Sequence, residues 1–146
     1  MSDTQALLDS IAYVAWHGQK LRVEEPARVV VAQPDRPDLR NYFGTVHAGA
    51  LFTLAETAAG VAADHVAGSM GGFILLGEAK LRYRRRAEGA LEAQAQLDPA
   101  IDHAALAREF AVAGRAHMAV EVAIRDLGGD IVFEGTFHYA MRKRNR

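Results

Sequence analysis

Between residues 48 and 63 every side chain is small, apolar or hydroxyl-bearing except one, Glu56. A carboxylate in such company is disfavoured as an anion. Its pKa should rise, which makes it a better base than an exposed glutamate. The competing reading of a lone mid-helix acid is structural: pairing with a buried arginine, or capping a neighbouring chain end. Ala48 and Gly49 open the same segment. In the first turn of a helix their N–H groups have no intrahelical acceptor and lie at the positive end of the macrodipole, where they can polarise a carbonyl oxygen. Gly49 lets a ligand approach the backbone closely, or lets the helix start pack tightly. Asn41 and His47 flank that start. Asn41 is placed to bond a reacting group or water, and His47 to hold the loop or cap the helix. Either can instead satisfy loop backbone groups, and for His47 that structural role is the expected one. The histidines form no His-x-His or His-Glu-x-x-His pattern, so no metal is expected.

Spacing constrains assembly. Ala48 and Glu56 on one continuous helix stand about 12 Å apart. A glutamate side chain cannot close that gap onto one small reacting group. Two copies of the helix running antiparallel across a two-fold axis would set Glu56 of one beside Ala48 and Gly49 of the other. If both act on one group, the protein is at least a dimer with two shared sites.

The elements that must position these residues follow from periodicity. Leu7, Leu8, Ile11, Val14 and Ala15 fall at helical spacing and predict a first helix over residues 3–19, stopped near Gly18. A strand over residues 21–32 is weakened at Pro26. Residues 34–44, with two prolines and a glycine, read as a loop. A helix over residues 46–67 ends at Gly68 and is small or apolar nearly all round, which marks a buried element. After Gly71 and Gly72, a strand places Phe73, Leu75, Gly77, Ala79, Leu81 and Tyr83 on one face. A second strand covers residues 90–97. Asp98 as N-cap and Pro99 at the first helical position predict a short helix reaching residue 113. A third strand turns Met118, Val120, Val122 and Ile124 inward. A turn at Gly128 and Gly129 leads to the last strand, with Ile131, Phe133, Phe137, Tyr139 and Met141 buried. A mostly antiparallel sheet with one apolar face can wrap around the central helix, which is an α+β architecture. No repeat or linker divides the chain, so one domain over residues 1–146 is expected.

The run Asn41-Tyr-Phe-Gly-Thr-Val-His47-Ala48-Gly49-Ala-Leu-Phe-Thr-Leu-Ala-Glu56-Thr-Ala-Ala-Gly60 resembles the signature of hotdog-fold thioesterases. It is most similar to the branch of phenylacetyl-CoA and glutamate-using 4-hydroxybenzoyl-CoA thioesterases. Asn six residues before His, a small pair after it and an acid nine residues beyond all match. The aromatic, basic and glycine residues Tyr83, Arg85 and Gly89 fit the end of the following strand. The resemblance implies hydrolysis of an acyl-CoA or acyl carrier protein thioester. Glu56 would be base or nucleophile, the N–H groups of Ala48 and Gly49 the oxyanion donors, and the assembly a homodimer that can pair into tetramers. No cofactor is implied beyond the CoA of the substrate. Phenylacetyl-CoA enzymes usually carry Asp at the Glu56 position. The hydroxyl residue that the 4-hydroxybenzoyl branch places one turn later is here Gly60, and the helix after Asp98 is an insertion. A non-catalytic acyl-CoA-binding hotdog protein would use the same pocket. A hotdog dehydratase would need an Asp and His about five residues apart, whereas the pairs here are Asp64-His65 and Asp102-His103.

Lys80, Arg82, Arg84 and Arg86 project from one strand face and Arg85 from the other. For most the expectation is a solvated face paired across strands with Glu92, Glu121 or Glu134. Arg85, matching the basic position of the family strand, is the candidate contact for the CoA nucleotide. With 17 Lys plus Arg against 18 Asp plus Glu, the net charge of −1 gives no global attraction to nucleic acid or acidic membranes. The chain has no cysteine, which excludes a disulfide framework and a thiolate nucleophile and agrees with a reducing cytoplasm. Asp3 and Asp9 stand where a signal peptide would be basic and apolar, and the apolar stretch around Glu56 is too short for a bilayer. A cytoplasmic protein bound to neither membrane nor nucleic acid is expected.

Overall fold

Alanine sets the geometry of the fold. Ala55, Ala58, Ala59, Ala62 and Ala63 are fully buried on the helix α3, Ala48–Ser69. Their small side chains let strands approach the helix closely, while Leu51, Leu54, Val61 and Val66 fill the space between. The computed structural model describes residues 3–144. Six antiparallel strands are β1 (Lys20–Glu25), β2 (Arg28–Gln33), β3 (Gly72–Tyr83), β4 (Leu91–Leu97), β5 (Arg115–Asp126) and β6 (Ile131–Lys143). They form one sheet in the order β1-β2-β4-β5-β6-β3, and α3 packs on its apolar face against β2 through β6. This is the α+β arrangement expected of a sheet with one greasy face.

The strand alternation holds where it was strongest. Val120, Val122 and Ile124 on β5 and Phe133 and Phe137 on β6 are buried, and the turn between these strands closes at Asp126 and Asp130. Ile131 is only half-buried, because the register shifts beside Arg125 at the start of β6. Between Phe133 and Phe137 sits Gly135, where an added Cβ would stand 3.0 Å from Leu81 and 3.0 Å from Phe137. Gly135→Ala overfills this layer and should cost about 1–3 kcal/mol. A urea titration with an unchanged m-value reads that loss as a lower midpoint.

Five further local expectations need correction. The first helix is two, α1 (Thr4–Ser10) and α2 (Ala12–His17), because Ile11 between them is extended, at φ −89° and ψ 104°. The strand expected over residues 21–32 is a hairpin: Pro26, with fixed φ and no N–H, sits in the turn between β1 and β2. α3 runs past Gly68 to Ser69, and the left-handed residue that follows it is Gly71, at φ 73°. β3 shifts register between Leu76 and Glu78. Ile74 before this bulge and Ala79 and Leu81 after it therefore face the core, while Leu75 turns outward. Finally, Asp98 caps only a turn through the Ala100 N–H; the helix α4, His103–Ala113, starts behind Asp102, which accepts from the Ala105 N–H.

Candidate active site

The side of α3 that the sheet leaves open carries Phe52, Glu56, Gly60 and Asp64, at a spacing of one helical turn, and all four are only partly buried. Glu56 is the acid among them that the helix places next to the sheet's inner layer. Its Oε2 accepts a 2.8 Å hydrogen bond from the Tyr139 hydroxyl on β6. Burial pushes the Glu56 carboxyl above the usual glutamate range, and the Tyr139 bond opposes that rise. The same neighbourhood drives the Tyr139 phenol well up, so it stays a donor. Beside the carboxylate, an added Cβ at Gly60 would lie 3.2 Å from Glu56 Oε2 and 3.8 Å from Tyr139 Oη. The missing side chain keeps room at the carboxylate.

Gly60 stood out in the sequence only as the place where the 4-hydroxybenzoyl branch carries a hydroxyl, and Tyr139 did not stand out as part of the site. Tyr139 was legible as buried, and a buried tyrosine hydroxyl needs a partner. The Glu56 carboxylate on the facing helix is that partner. Tyr139→Phe removes a donor to the charged form of Glu56, so the Glu56 pKa should climb further. If Glu56 serves as a base, the acid limb of a kcat/KM profile against pH should then move to higher pH. A merely structural tyrosine would change the level of the profile and leave its limb in place.

The helix start is organised by His47. It is the N-cap of α3, and its Nδ1 accepts the Gly49 N–H at 2.8 Å. The capping role expected for His47 is thus the one observed. Gly49 N–H is committed to that bond. The first-turn donor left for a ligand is Ala48 N–H, at the first helical position. Asn41 holds the preceding loop: its Oδ1 accepts from the N–H of Phe43 at 3.0 Å and of Thr45 at 3.2 Å, and from the Thr45 hydroxyl. The Tyr83 hydroxyl donates to the Ala48 carbonyl at 3.2 Å, tying β3 to the helix start. Arg85, past the end of β3, is over half exposed and pairs with Asp130 at 3.1 Å. Arg84 pairs with Glu134 across the sheet at 2.8 Å, as expected of a solvated face, and Arg86 lies over the Phe43 ring. Glu56 and Ala48 do share one unbroken helix, so within one chain they remain about 12 Å apart. Among the described residues, no group of three His, Asp or Glu side chains could hold a metal ion, and no helix is long and apolar enough to cross a membrane.

A long helix wrapped by an antiparallel sheet is the hotdog fold, shared with proteins described as thioesterases. The chain belongs to the family described as a domain of unknown function, DUF4442, which matches residues 5–141. A Pseudomonas aeruginosa protein described as being of unknown function and a probable thioesterase is 32% identical. It superposes with a TM-score of 0.85 over 97% of this chain and 94% of that one. A variant of a Staphylococcus aureus thioesterase enzyme aligns at 16% identity, with a TM-score of 0.75 over 90% of this chain and 98% of that one. A variant of another P. aeruginosa protein, described as a thioesterase, aligns at 13% identity and a TM-score of 0.79, over 96% and 91% of the two chains. The last two likenesses concern the fold. No curated protein matches the sequence.

Proposed function

We propose that this protein is a thioesterase that hydrolyses an acyl-CoA to a free acid and CoA, with Glu56 as base or nucleophile. The observation that carries the reading is Glu56 itself: a partly buried carboxylate with a raised pKa, beside a cleared space and an apolar groove. The 32% identical relative described as a probable thioesterase supports the same activity. As base, Glu56 takes a proton from water as the water attacks the thioester carbon. The C–S bond breaks as the tetrahedral intermediate collapses, and the proton passes from Glu56 to the leaving sulfur. The developing oxyanion needs a donor, and Ala48 N–H at the helix start has the right polarity.

On this reading, the separation of about 12 Å between Ala48 and Glu56 on one helix makes that donor a second subunit's. A homodimer is supported by β3, an edge strand on which Leu75, Leu76 and Tyr83 are 52%, 38% and 46% exposed. An open, apolar edge is an aggregation liability unless another strand pairs with it. The same two-fold pairing would lay the open sides of two α3 helices near one another. CoA rather than a carrier protein is favoured by Arg85 and Arg86 beyond the end of β3. The exposed Arg85–Asp130 pair contributes little and can be exchanged for a phosphate.

The test is a panel of CoA thioesters of different acyl groups, read by release of free thiol. The reading expects saturable turnover of at least one of them. Saturable binding with no turnover at micromolar enzyme would replace it with an acyl-CoA-binding role.

A further inference from the structure

α1 and α2 are held in place by polar contacts, yet they leave apolar side chains half out of the core. Gln5 Oε1 accepts the Leu21 N–H at 2.7 Å, Tyr13 Oη and Thr53 Oγ1 are 3.0 Å apart, and Gln33 Nε2 donates to the His17 carbonyl at 2.6 Å. These bonds fix the segment over α3. Leu7 and Ile11 nevertheless remain 54% and 44% exposed. The fold gains little from them there.

Leu7 and Ile11 border a groove of about 280 Å³. Its outer wall is Leu7, Leu8, Ile11 and Val14, and its floor is α3 from Glu56 through Gly60 and Val61 to Asp64. One end therefore holds the Glu56 carboxylate. The charged Asp64, two turns along α3 from Glu56, and Arg144 also line the groove. Glu56 to Asp64 spans about 12 Å along the helix. A span of that length fits an extended alkyl chain of about eight to ten carbons. We infer that the substrate's acyl chain lies along α3 beneath α1 and α2, and that the site takes an unbranched aliphatic acyl group of about eight to ten carbons. Shorter chains leave apolar wall unfilled; longer ones meet Asp64 and Arg144 and lose their apolar surroundings. The N-terminal helices thus set chain length. This inference rests on the thioesterase reading for the identity of the reaction, while the groove can be tested without it.

Two readouts separate the failures. In the first, kcat/KM is measured for CoA thioesters from butyryl to palmitoyl with wild type, Ile11→Trp and, as a surface control, Val112→Trp on the 90% exposed Val112 of α4. Ile11 is exposed enough for a larger side chain to be accepted without disturbing the core. Wild type should peak at eight to ten carbons. Ile11→Trp should lower the decanoyl-to-butyryl ratio by about tenfold or more, the scale of a few lost methylene contacts, and Val112→Trp should leave it unchanged. A length profile identical in wild type and Ile11→Trp overturns the inference while leaving hydrolysis intact. The second readout is calorimetric binding of free octanoate. If no thioester is hydrolysed, the thioesterase reading alone fails, and octanoate binding weakened by Ile11→Trp still supports the groove. Octanoate binding indifferent to Ile11→Trp overturns it.

Discussion

Glu56→Ala lowers kcat/KM for the preferred acyl-CoA by about 10² to 10⁴, the range of a lost catalytic carboxylate. The effect arises at the chemical step, because among the described residues no other carboxylate shares the cleared space beside Gly60. Asp64, two turns along α3, is too far away to substitute. The fold should survive. Glu56 is only partly buried, and its carboxylate accepts a hydrogen bond from Tyr139 at 2.8 Å. Losing it leaves the Tyr139 hydroxyl unsatisfied, a cost of about 1–3 kcal/mol, but it also removes a carboxylate that burial holds in an unfavourable ionisation state. Glu56→Gln is the cleaner variant, since its amide oxygen can still accept from Tyr139 while it cannot take a proton. It should lose activity to a similar extent with a native circular dichroism spectrum. Glu56→Asp should keep part of the activity, the carboxylate being shortened rather than removed. Activity of Glu56→Ala within a few-fold of wild type would take Glu56 out of the mechanism.

Much of the fold was legible because its strongest signals are local. β5 and β6 alternate cleanly, so Val120, Val122, Phe133 and Phe137 could be assigned to the buried face from period alone. The composition of α3 announced a buried helix. What escaped were features decided by tertiary context. The bulge at Leu76 and Glu78 inverts the phase of β3 in mid-strand, and only pairing with β6 reveals it. The choice between Asp98 and Asp102 as the start of α4 is one between two good caps, and proline after Asp98 favoured the wrong one. The break at Ile11 interrupts a pattern whose periodicity runs on through it, so α1 and α2 read as one helix.

The site divides in the same way. Residues carried by one helix or its cap could be found by spacing: Glu56, Ala48, Gly49 and His47 all sit on or beside α3. Which of two neighbouring N–H groups is free could not be, since it depends on the side chain of His47 turning back onto Gly49. Tyr139 lies 83 residues from Glu56 in sequence, and only the sheet brings them together. The groove wall is likewise non-local: Leu7 and Ile11 have helical spacing that suits a core, and their exposure in the fold is what marks them as something else.

Mixing two inactive variants tests the shared site most directly. One carries Glu56→Ala. The other carries Ala48→Pro, which deletes the proposed oxyanion donor at the first helical position, where proline is well tolerated and the preceding His47 is already extended, at φ −62° and ψ 140°. Each variant alone should lose about 10²-fold or more in kcat, the scale of a removed carboxylate or oxyanion donor. In a mixed dimer with sites shared across the two-fold axis, both lesions fall in one site and the other is intact. Half of randomly reassorted dimers are mixed, so unfolding and refolding equal amounts together should restore about a quarter of wild-type activity. Mixed dimers that form, as shown by differently tagged subunits co-purifying, yet stay as inactive as either parent would contradict the account, as would full activity in a monomer.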